Sequence, residues 1–164
     1  MIPNQQRLLD QAVSGRKEAY SALVRHYQNR IFGFIMRMTA DRDAALDLTQ
    51  DTFIAAWENL SHFRGEASFS TWLFQIAANR TRNYLRSHRK MEPMPPGHDP
   101  EDCRAGQERS LEEKQQRRAL LAALAELPEK QRRAFSLRFF EELKFHEIAR
   151  IEGSSVRRSK PISR

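Results

Sequence analysis

Residues 63–90 read FRGEASFSTWLFQIAANRTRNYLRSHRK, and this stretch sets the organisation of the chain. It opens with Gly65 and two serines, which favour a loop. From Phe69 onward it contains neither Pro nor Gly, and apolar residues recur at helical spacing, so a helix is predicted. That helix ends with basic residues: Arg80, Arg82, Arg86, Arg89 and Lys90. Because rings stack on exposed bases and cations hold phosphates, the stretch favours a strand of nucleic acid.

The composition agrees with a polyanionic partner but does not require one. The 164 residues carry a formal net charge of +7, which also describes a merely soluble basic surface. No apolar run approaches the roughly 20 residues that span a bilayer, so no membrane insertion is expected. The start, MIPNQQRLLDQ, is polar and predicts a cytoplasmic protein. The single cysteine, Cys103, excludes an internal disulfide.

Helical periodicity dominates the N-terminal residues. Residues 5–24 are predicted to be helical with a break at Ser14-Gly15, and a second helix is predicted over 27–38. The apolar face of the second helix is interpreted as core. Thr39-Ala40-Asp41 is predicted to end that helix and to cap the next one.

The helix predicted over residues 43–60 is acidic. Asp43, Asp47 and Asp51 recur every four residues and therefore share one face, although like charges at that spacing cost a helix about 0.2–0.5 kcal/mol per pair. Residues 39–61 hold five carboxylates and one arginine, whereas residues 62–90 hold six basic side chains and one glutamate. The two charged faces either neutralise each other, remain solvated, or serve two different partners.

A change in composition divides the chain. Residues 91–109 hold four prolines and two glycines among acidic residues, which predicts an extended linker between domains 1–90 and 110–164. The second domain is predicted to begin near Ser110 and to restart a helix at Pro128, an allowed first helical position. That helix is expected to run to about Glu141 and to bury Ala134, Phe135, Leu137, and either Phe139 or Phe140.

Residues 145–156 predict a helix-turn-helix. Ala149 lies in the middle of a short helix, Gly153 supplies a turn, and Ser155-Val156 opens another helix. The predicted fold is therefore all-α, with two small helical domains joined by a Pro-rich linker. No catalytic or metal-binding signature accompanies it, since none of the five histidines lies in an HxxxH or HExxH arrangement. We therefore expect neither an enzyme nor a bound cofactor.

Three sequence features together resemble the extracytoplasmic-function group of bacterial RNA polymerase sigma factors. They are DLTQDTFIAAW at 47–57, FRGEASFSTWL at 63–73, and ELPEKQRRAFSLRFFEELKFHEIA at 126–149. The resemblance covers about 19–156. It implies three partners: core RNA polymerase, promoter DNA and an anti-sigma factor.

The resemblance also implies a set of site residues. Core polymerase would be bound by the helix carrying Asp47, Gln50, Asp51, Phe53 and Trp57. The minus-ten element would be captured by the loop of residues 62–70 and the helix after it, through Phe63, Arg64, Ser68, Asn79, Arg80, Asn83, Tyr84 and Arg86. Trp72 is left open between core and base contact, and Arg82 is interpreted as a phosphate contact. The minus-thirty-five element would be bound by Ser155, Arg157, Arg158 and Lys160.

The end of the chain departs from the family pattern. Pro161 removes a helical hydrogen bond and disfavours helical geometry at Lys160, at a cost of about 3 kcal/mol inside a helix. The last helix is therefore predicted to be atypical and truncated. The sequence leaves two alternatives to an active sigma factor. One is an interaction module that sequesters an anti-sigma factor or core polymerase because its recognition helix is defective. The other is a stand-alone helix-turn-helix regulator that binds duplex DNA without polymerase.

Overall fold

The regular structure is entirely helical in the part of the chain described by the computed structural model, residues 2–88 and 110–156. For residues 154–156 only the backbone is described. No helix in these two ranges has both the length and the apolar character needed to cross a membrane. The α-helices are α1 (Gln5–Val13), α2 (Lys17–Thr39), α3 (Arg42–Asn59), α4 (Phe69–Ser87), α5 (Leu111–Glu126), α6 (Glu129–Phe139) and α7 (Phe145–Val156), with a 3-10 turn at Leu60–His62.

The first two helices differ from the prediction at one point. The break at Ser14-Gly15 is confirmed, and Gly15 has a φ of 94°, a left-handed value that glycine adopts without steric cost. The helical segment predicted to follow this break, up to residue 24, and the helix predicted over 27–38 are, however, one continuous helix, α2. Nothing between Val24 and Tyr27 breaks a helix, because Arg25 and His26 are exposed polar residues on its outer face.

The boundary between α2 and α3 is confirmed as predicted. Ala40 ends α2 in the left-handed region with a φ of 54°. Asp41 then caps α3, since its carboxylate accepts a hydrogen bond from the Ala44 backbone N–H at 3.1 Å. Such a cap satisfies one of the N–H groups that the first helical turn leaves unpaired.

The buried apolar residues form one cluster that joins both halves of the described chain. Its fully buried members include Phe34, Leu73 and Phe74 from α2 and α4, together with Leu137 and Ile151 from α6 and α7. Helix α7 lies against α4, and α6 lies against α2. The division into domains 1–90 and 110–164 stays a prediction, and residues 91–109 of the predicted linker lie outside the described residues.

Gly33 lies in the interior of α2, where glycine is about 0.5–1 kcal/mol less favourable than alanine. A Cβ atom at this position would lie 3.3 Å from Nη1 of Arg37, one turn further along the helix. The absent side chain therefore leaves room for the Arg37 guanidinium group. Arg37 itself is 7% exposed.

The C-terminal helices correct three predictions. Ser110 caps α5 in a reciprocal capping box with Glu113. Pro128, predicted as the first helical residue, is instead the N-cap of α6, which begins at Glu129. Helix α6 ends at Phe139 rather than near Glu141. Leu137 and Phe140 are buried as expected, but Phe135 is 37% exposed and its ring stacks on Phe139, which is 56% exposed.

The predicted turn at Gly153 is wrong. Helix α7 continues through Gly153 to Val156, and Gly153 does not have a positive φ. Glycine permits a turn but does not impose one, because its penalty in a helix interior is only about 1 kcal/mol. The turn between α6 and α7 lies instead at residues 140–144, where Glu142 has a φ of 55°.

Candidate nucleic-acid interface

The 62–70 loop is held in place by its own rings. The Phe63 ring lies 5.1 Å from the Trp72 ring and 5.9 Å from the Phe69 ring, measured between centroids. Phe69 is buried in the core, whereas Phe63 and Trp72 are half-buried and pack against its edge. Trp72 thus belongs partly to the core and partly to the surface, which explains why the sequence left both assignments open.

Local hydrogen bonds fix where the loop becomes a helix. Ser68 is the N-cap of α4, and its hydroxyl oxygen accepts a hydrogen bond from the Thr71 backbone N–H at 3.2 Å. Gly65 supplies a left-handed turn with a φ of 73°. Arg64, Gly65 and Glu66 are exposed at the tip of the loop. The loop therefore presents a cation beside half-buried aromatic rings.

The C-terminal part of α4 presents polar and basic side chains. Arg80, Asn83 and Arg86 are exposed, and their spacing of three residues places them on one side of the helix. Asn79 is half-buried and accepts a hydrogen bond from Nη1 of Arg82 at 3.2 Å. The Tyr84 ring stacks on the His88 ring at 4.2 Å. Burial and the nearby Asp41 carboxylate raise the pKa of Tyr84, so its hydroxyl stays protonated at neutral pH.

Arg82 occupies a different environment from its neighbours. Burial lowers its pKa, and so does the charge of Arg133, while Glu152 and Glu129 act in the opposite direction. Arg82 therefore lies close to charged groups of α6 and α7. Arg82 is half-buried, whereas Arg80 and Arg86 on the same helix are exposed, and its assignment as a phosphate contact stays a prediction.

The acidic face of α3 is open to solvent. Asp43, Asp47, Asp51 and Gln50 are all exposed, and none of the three aspartates is ion-paired within the described part of the chain. Helices α3 and α4 pack against each other, yet their charged faces do not meet. Mutual neutralisation, one of the alternatives left by the sequence, is not what the structure shows.

The apolar residues available on the α3 surface differ from those predicted. Phe53 is 8% exposed and contributes to the core, so its ring is not available to a partner. Trp57 is half-buried and packs at 4.9 Å against the Tyr20 ring. Leu46 and Ile54, which the sequence analysis missed, are 46% and 56% exposed. Each of them lies four residues from Gln50, and residues four apart share a helix face, so the spacing could have placed both on the acidic face.

Helix α7 lies over the 62–70 loop. The Thr71 hydroxyl donates a hydrogen bond to the Glu147 carboxylate at 3.1 Å, and the Arg150 guanidinium lies 3.3 Å from the Glu66 carboxylate. An open cleft of about 860 Å³ separates loop from helix, and its lining includes His62, Arg64 and Trp72 on one side and His146 and Arg150 on the other.

The predicted minus-thirty-five residues cannot be placed in the same way. Only the backbone of Ser155 is described, at the end of α7. Arg157, Arg158 and Lys160 lie outside the described residues, as does the predicted truncation of the last helix.

Two family models match the chain over these elements. The model described as Sigma-70 region 2 matches residues 23–91, which contain α3, the 62–70 loop and α4. The model described as Sigma-70, region 4 matches residues 117–160, which contain α6 and α7.

Curated relatives cover most of the chain. The RNA polymerase sigma-H factor of Pseudomonas aeruginosa is 34% identical over 159 residues, spanning 89% of this chain and 81% of that protein. The ECF RNA polymerase sigma-E factor of Haemophilus influenzae is 31% identical, spanning 89% of this chain and 82% of that protein. That of Escherichia coli K12 is 30% identical, with 89% and 81% covered.

Solved structures share the fold. The structure of CnrH in complex with the cytosolic domain of CnrY matches with a TM-score of 0.68 and 24% identity, over 92% of this chain and 84% of that one. The sigma factor RpoE of Bartonella quintana, in complex with the anti-sigma factor NepR, matches with a TM-score of 0.65 and 21% identity, over 82% of both chains. From the family matches and the relatives, we conclude that the chain belongs to the ECF group of the sigma-70 family of RNA polymerase sigma factors.

Proposed function

We propose that this sigma factor binds core RNA polymerase through the exposed face of α3 and captures the minus-ten element with the 62–70 loop and α4. The observation that carries the proposal is the pair of adjacent helices whose oppositely charged faces both remain exposed. An acidic face with apolar neighbours suits a basic protein surface, whereas exposed arginines beside aromatic rings suit an opened DNA strand.

The polymerase-binding surface that we propose differs from the one expected from the sequence at three residues. It keeps Asp47, Gln50, Asp51 and the accessible part of Trp57, loses the buried Phe53, and gains Leu46 and Ile54. Exposed leucine and isoleucine side chains between carboxylates supply apolar area, and the carboxylates supply orientation and a faster encounter.

The promoter-binding surface that we propose combines ring stacking with phosphate contacts. Phe63 and Trp72 offer ring surface at the edge of the core, and Arg64, Arg80 and Arg86 offer exposed cations. Unstacking a base from the duplex costs a few kcal/mol, and stacking on one ring returns roughly 1–3 kcal/mol, so several contacts must act together. Ser68, Asn79, Asn83 and Tyr84 remain proposed contacts on the same element.

The chain acts on transcription without catalysing a reaction of its own, and we propose that it does so in the cytoplasm. An anti-sigma factor is proposed as a further partner, because the sigma factor RpoE, whose fold is similar, is seen bound to the anti-sigma factor NepR. Recognition of the minus-thirty-five element by Ser155, Arg157, Arg158 and Lys160 is proposed from the resemblance alone.

The experiment that tests this function is transcription in vitro. Core polymerase is mixed with the purified chain and genomic DNA, and the 5′ ends of the transcripts are sequenced. We expect a narrow set of start sites that share two upstream elements. Failure to bind core polymerase would refute the proposed function.

The same experiment separates the sequestering module from an active factor. Pro161 lies where a recognition helix is expected to continue, which is the observation that favours the alternative. If transcripts appeared only after residues 157–164 were replaced by a helical sequence, the native chain would act by sequestration.

A further inference from the structure

Three phenylalanine rings lie at the surface of α6 and α7, outside the core. Phe135 and Phe139 belong to α6, Phe145 is 74% exposed at the start of α7, and none of the three is part of the buried apolar cluster. The Phe135 and Phe139 rings stack nearly parallel, with their centroids 5.3 Å apart. Cζ of Arg138 lies 4.8 Å from the centroid of the Phe145 ring. We name these three rings, together with Arg132 and Arg138, the aromatic face.

The aromatic face is cationic. Arg132 and Arg138 each lie three residues from Phe135, so all three share one side of α6. Glu142 is the one exposed carboxylate among residues 130–146, all of which the structure describes. The neighbouring Glu141 is buried and paired with two arginines of α2. The exposed rings are therefore bordered mainly by positive charge.

The acidic face of α3 has the opposite character. Leu46 and Ile54 are its exposed apolar residues, and exposed carboxylates lie between them. The only basic residue of α3, Arg42, is the first residue of the helix. At a rise of about 1.5 Å per residue, residues 46–54 span about 12 Å and residues 132–139 about 10 Å. The two faces thus match in length, are opposite in charge, and each have an apolar centre.

We propose that the acidic face of α3 in one molecule docks on the aromatic face of a second copy of the chain. In this contact the aliphatic side chains of α3 pack on the phenylalanine rings, and its carboxylates approach Arg132 and Arg138. Because the two faces are different, the contact is heterologous. A pair of molecules leaves one face of each kind free, so rings or longer assemblies form as the concentration rises.

The association is expected to be weak because the two faces are small. Each covers about two turns of helix, whereas stable complexes bury about 1,200–2,000 Å² in total. Salt also screens the attraction between exposed charges. The contact covers the face that we propose for core polymerase, so polymerase and a second copy compete for it. That competition rests on the proposed function, whereas the association itself does not.

Sedimentation velocity of the full-length chain tests the association. The wild type is run from about 5 to about 300 μM in about 50 mM NaCl, and we expect its weight-average sedimentation coefficient to rise with concentration. Raising NaCl to about 500 mM should increase the dissociation constant at least about tenfold. A wild type that stays monomeric over the whole range at low salt would overturn the proposal without the need for any variant.

Two variants each disable one of the faces. Asp51→Arg places a cation on the acidic face, and Phe139→Glu replaces an exposed ring of the aromatic face with a carboxylate. We expect either variant alone to associate at least about tenfold more weakly than the wild type does. In an equimolar mixture each variant supplies the face that the other lacks, so we expect dimers and no larger species. Asp10→Arg and Leu111→Glu make the same changes at exposed residues outside both faces and should associate as the wild type does.

A mixture that stays monomeric, although circular dichroism shows both variants to be folded, would overturn the head-to-tail contact. If Phe139→Glu does not fold, the comparison of Asp51→Arg with Asp10→Arg decides, since equal association of these two variants would also overturn it. A monomeric wild type whose binding of a single-stranded oligonucleotide or of core polymerase is lost in Phe139→Glu would assign the aromatic face to that partner instead.

Surface plasmon resonance with core polymerase separates self-association from the proposed function. A wild type that binds polymerase but stays monomeric in solution loses only the self-association. One that associates with itself without binding polymerase loses only the proposed function.

Discussion

The Tyr20 hydroxyl donates a hydrogen bond to the Phe53 backbone carbonyl, which joins α2 to the middle of α3. The same tyrosine packs its ring against Trp57 one turn further along α3. Tyr20 is thus a support for the helix whose outer face we propose as the polymerase-binding surface. Its hydroxyl is also titratable, so the stability of this support depends on pH.

Tyr20→Phe is expected to make the free energy of unfolding fall less steeply as pH rises in the alkaline range. Burial raises the pKa of Tyr20 above its usual range, so the unfolded chain releases this proton first as pH rises. Stability is therefore fully present below about pH 10 and falls above it, by up to about 1.4 kcal/mol per pH unit for each such tyrosine. Urea unfolding from pH 8 upward checks this. At neutral pH the variant should lose about 1 kcal/mol of unfolding free energy, because the hydrogen bond to Phe53 is gone. If the unfolding free energy fell equally steeply with pH in both proteins, Tyr20 would not be the group responsible.

Leu137→Ala should destabilise the whole described chain rather than its C-terminal half alone. Removing a fully buried leucine costs about 2–5 kcal/mol. Both tryptophans, Trp57 and Trp72, lie in the N-terminal half, so their fluorescence reports on α3 and α4. If the shared core unfolds cooperatively, the tryptophan transition in urea shifts to lower concentration. Leu111→Ala, at a leucine 72% exposed, should change stability by less than about 0.5 kcal/mol. An unshifted tryptophan transition in Leu137→Ala would show two independent units.

Ser68→Ala should destabilise the start of α4. The substitution removes the side-chain acceptor for the Thr71 N–H, at a cost of about 0.5–2 kcal/mol, measured by urea unfolding. Ser68→Asp keeps an acceptor at the N-cap and should retain most of the stability. Since Ser68 is also a proposed DNA contact, the pair separates the two roles. A folding role alone predicts that Ser68→Asp opens promoters as the wild type does, and a contact role predicts that its added negative charge weakens opening.

Asp51→Arg should weaken the binding of core polymerase. The substitution places a cation in the middle of the acidic face of α3, and we expect the affinity to fall by roughly tenfold, mainly at low salt. Surface plasmon resonance with immobilised core polymerase measures the loss. Asp10→Arg makes the same charge change on the exposed surface of α1 and serves as the matched control. Equal losses in the two variants would mean that net charge, rather than this face, governs binding.

Arg80→Ala should weaken promoter opening while leaving polymerase binding unchanged. Arg80 is exposed on α4, and losing one phosphate contact should reduce the slope of log affinity against log salt by about one. Permanganate footprinting of the holoenzyme on a mapped promoter reports opening. Arg7→Ala, at an exposed arginine of α1, controls for net charge. If Arg80→Ala and Asp51→Arg produced the same defect, the separation into two surfaces would be wrong.

Local signals in the sequence predicted most of the helices because each acts within one turn. The cap at Asp41 and the break at Ser14-Gly15 depend on neighbouring residues alone. The exposed carboxylates of α3 likewise follow from a spacing of four. Prediction failed at Gly153, because glycine is compatible with both a turn and a helix, and here it is helical.

The features that the sequence did not predict are long-range ones. Residues 135–140 are rich in phenylalanine, and periodicity alone did not predict which of these rings would be buried in the core. Phe53 looks available to a partner until α3 is docked, when its ring faces the core. The pairing of Arg37 with Glu141 joins positions 104 residues apart, and no local pattern encodes such a contact.

Gly33 has a practical consequence for anyone who engineers a sturdier version of this protein. Replacing interior helical glycines with alanine is a routine stabilising change, since it reduces the freedom of the unfolded chain. Here the added methyl group would crowd the Arg37 guanidinium at 3.3 Å and disturb a contact made far along the polypeptide. A thermostability screen should therefore keep this position fixed and seek its gains elsewhere.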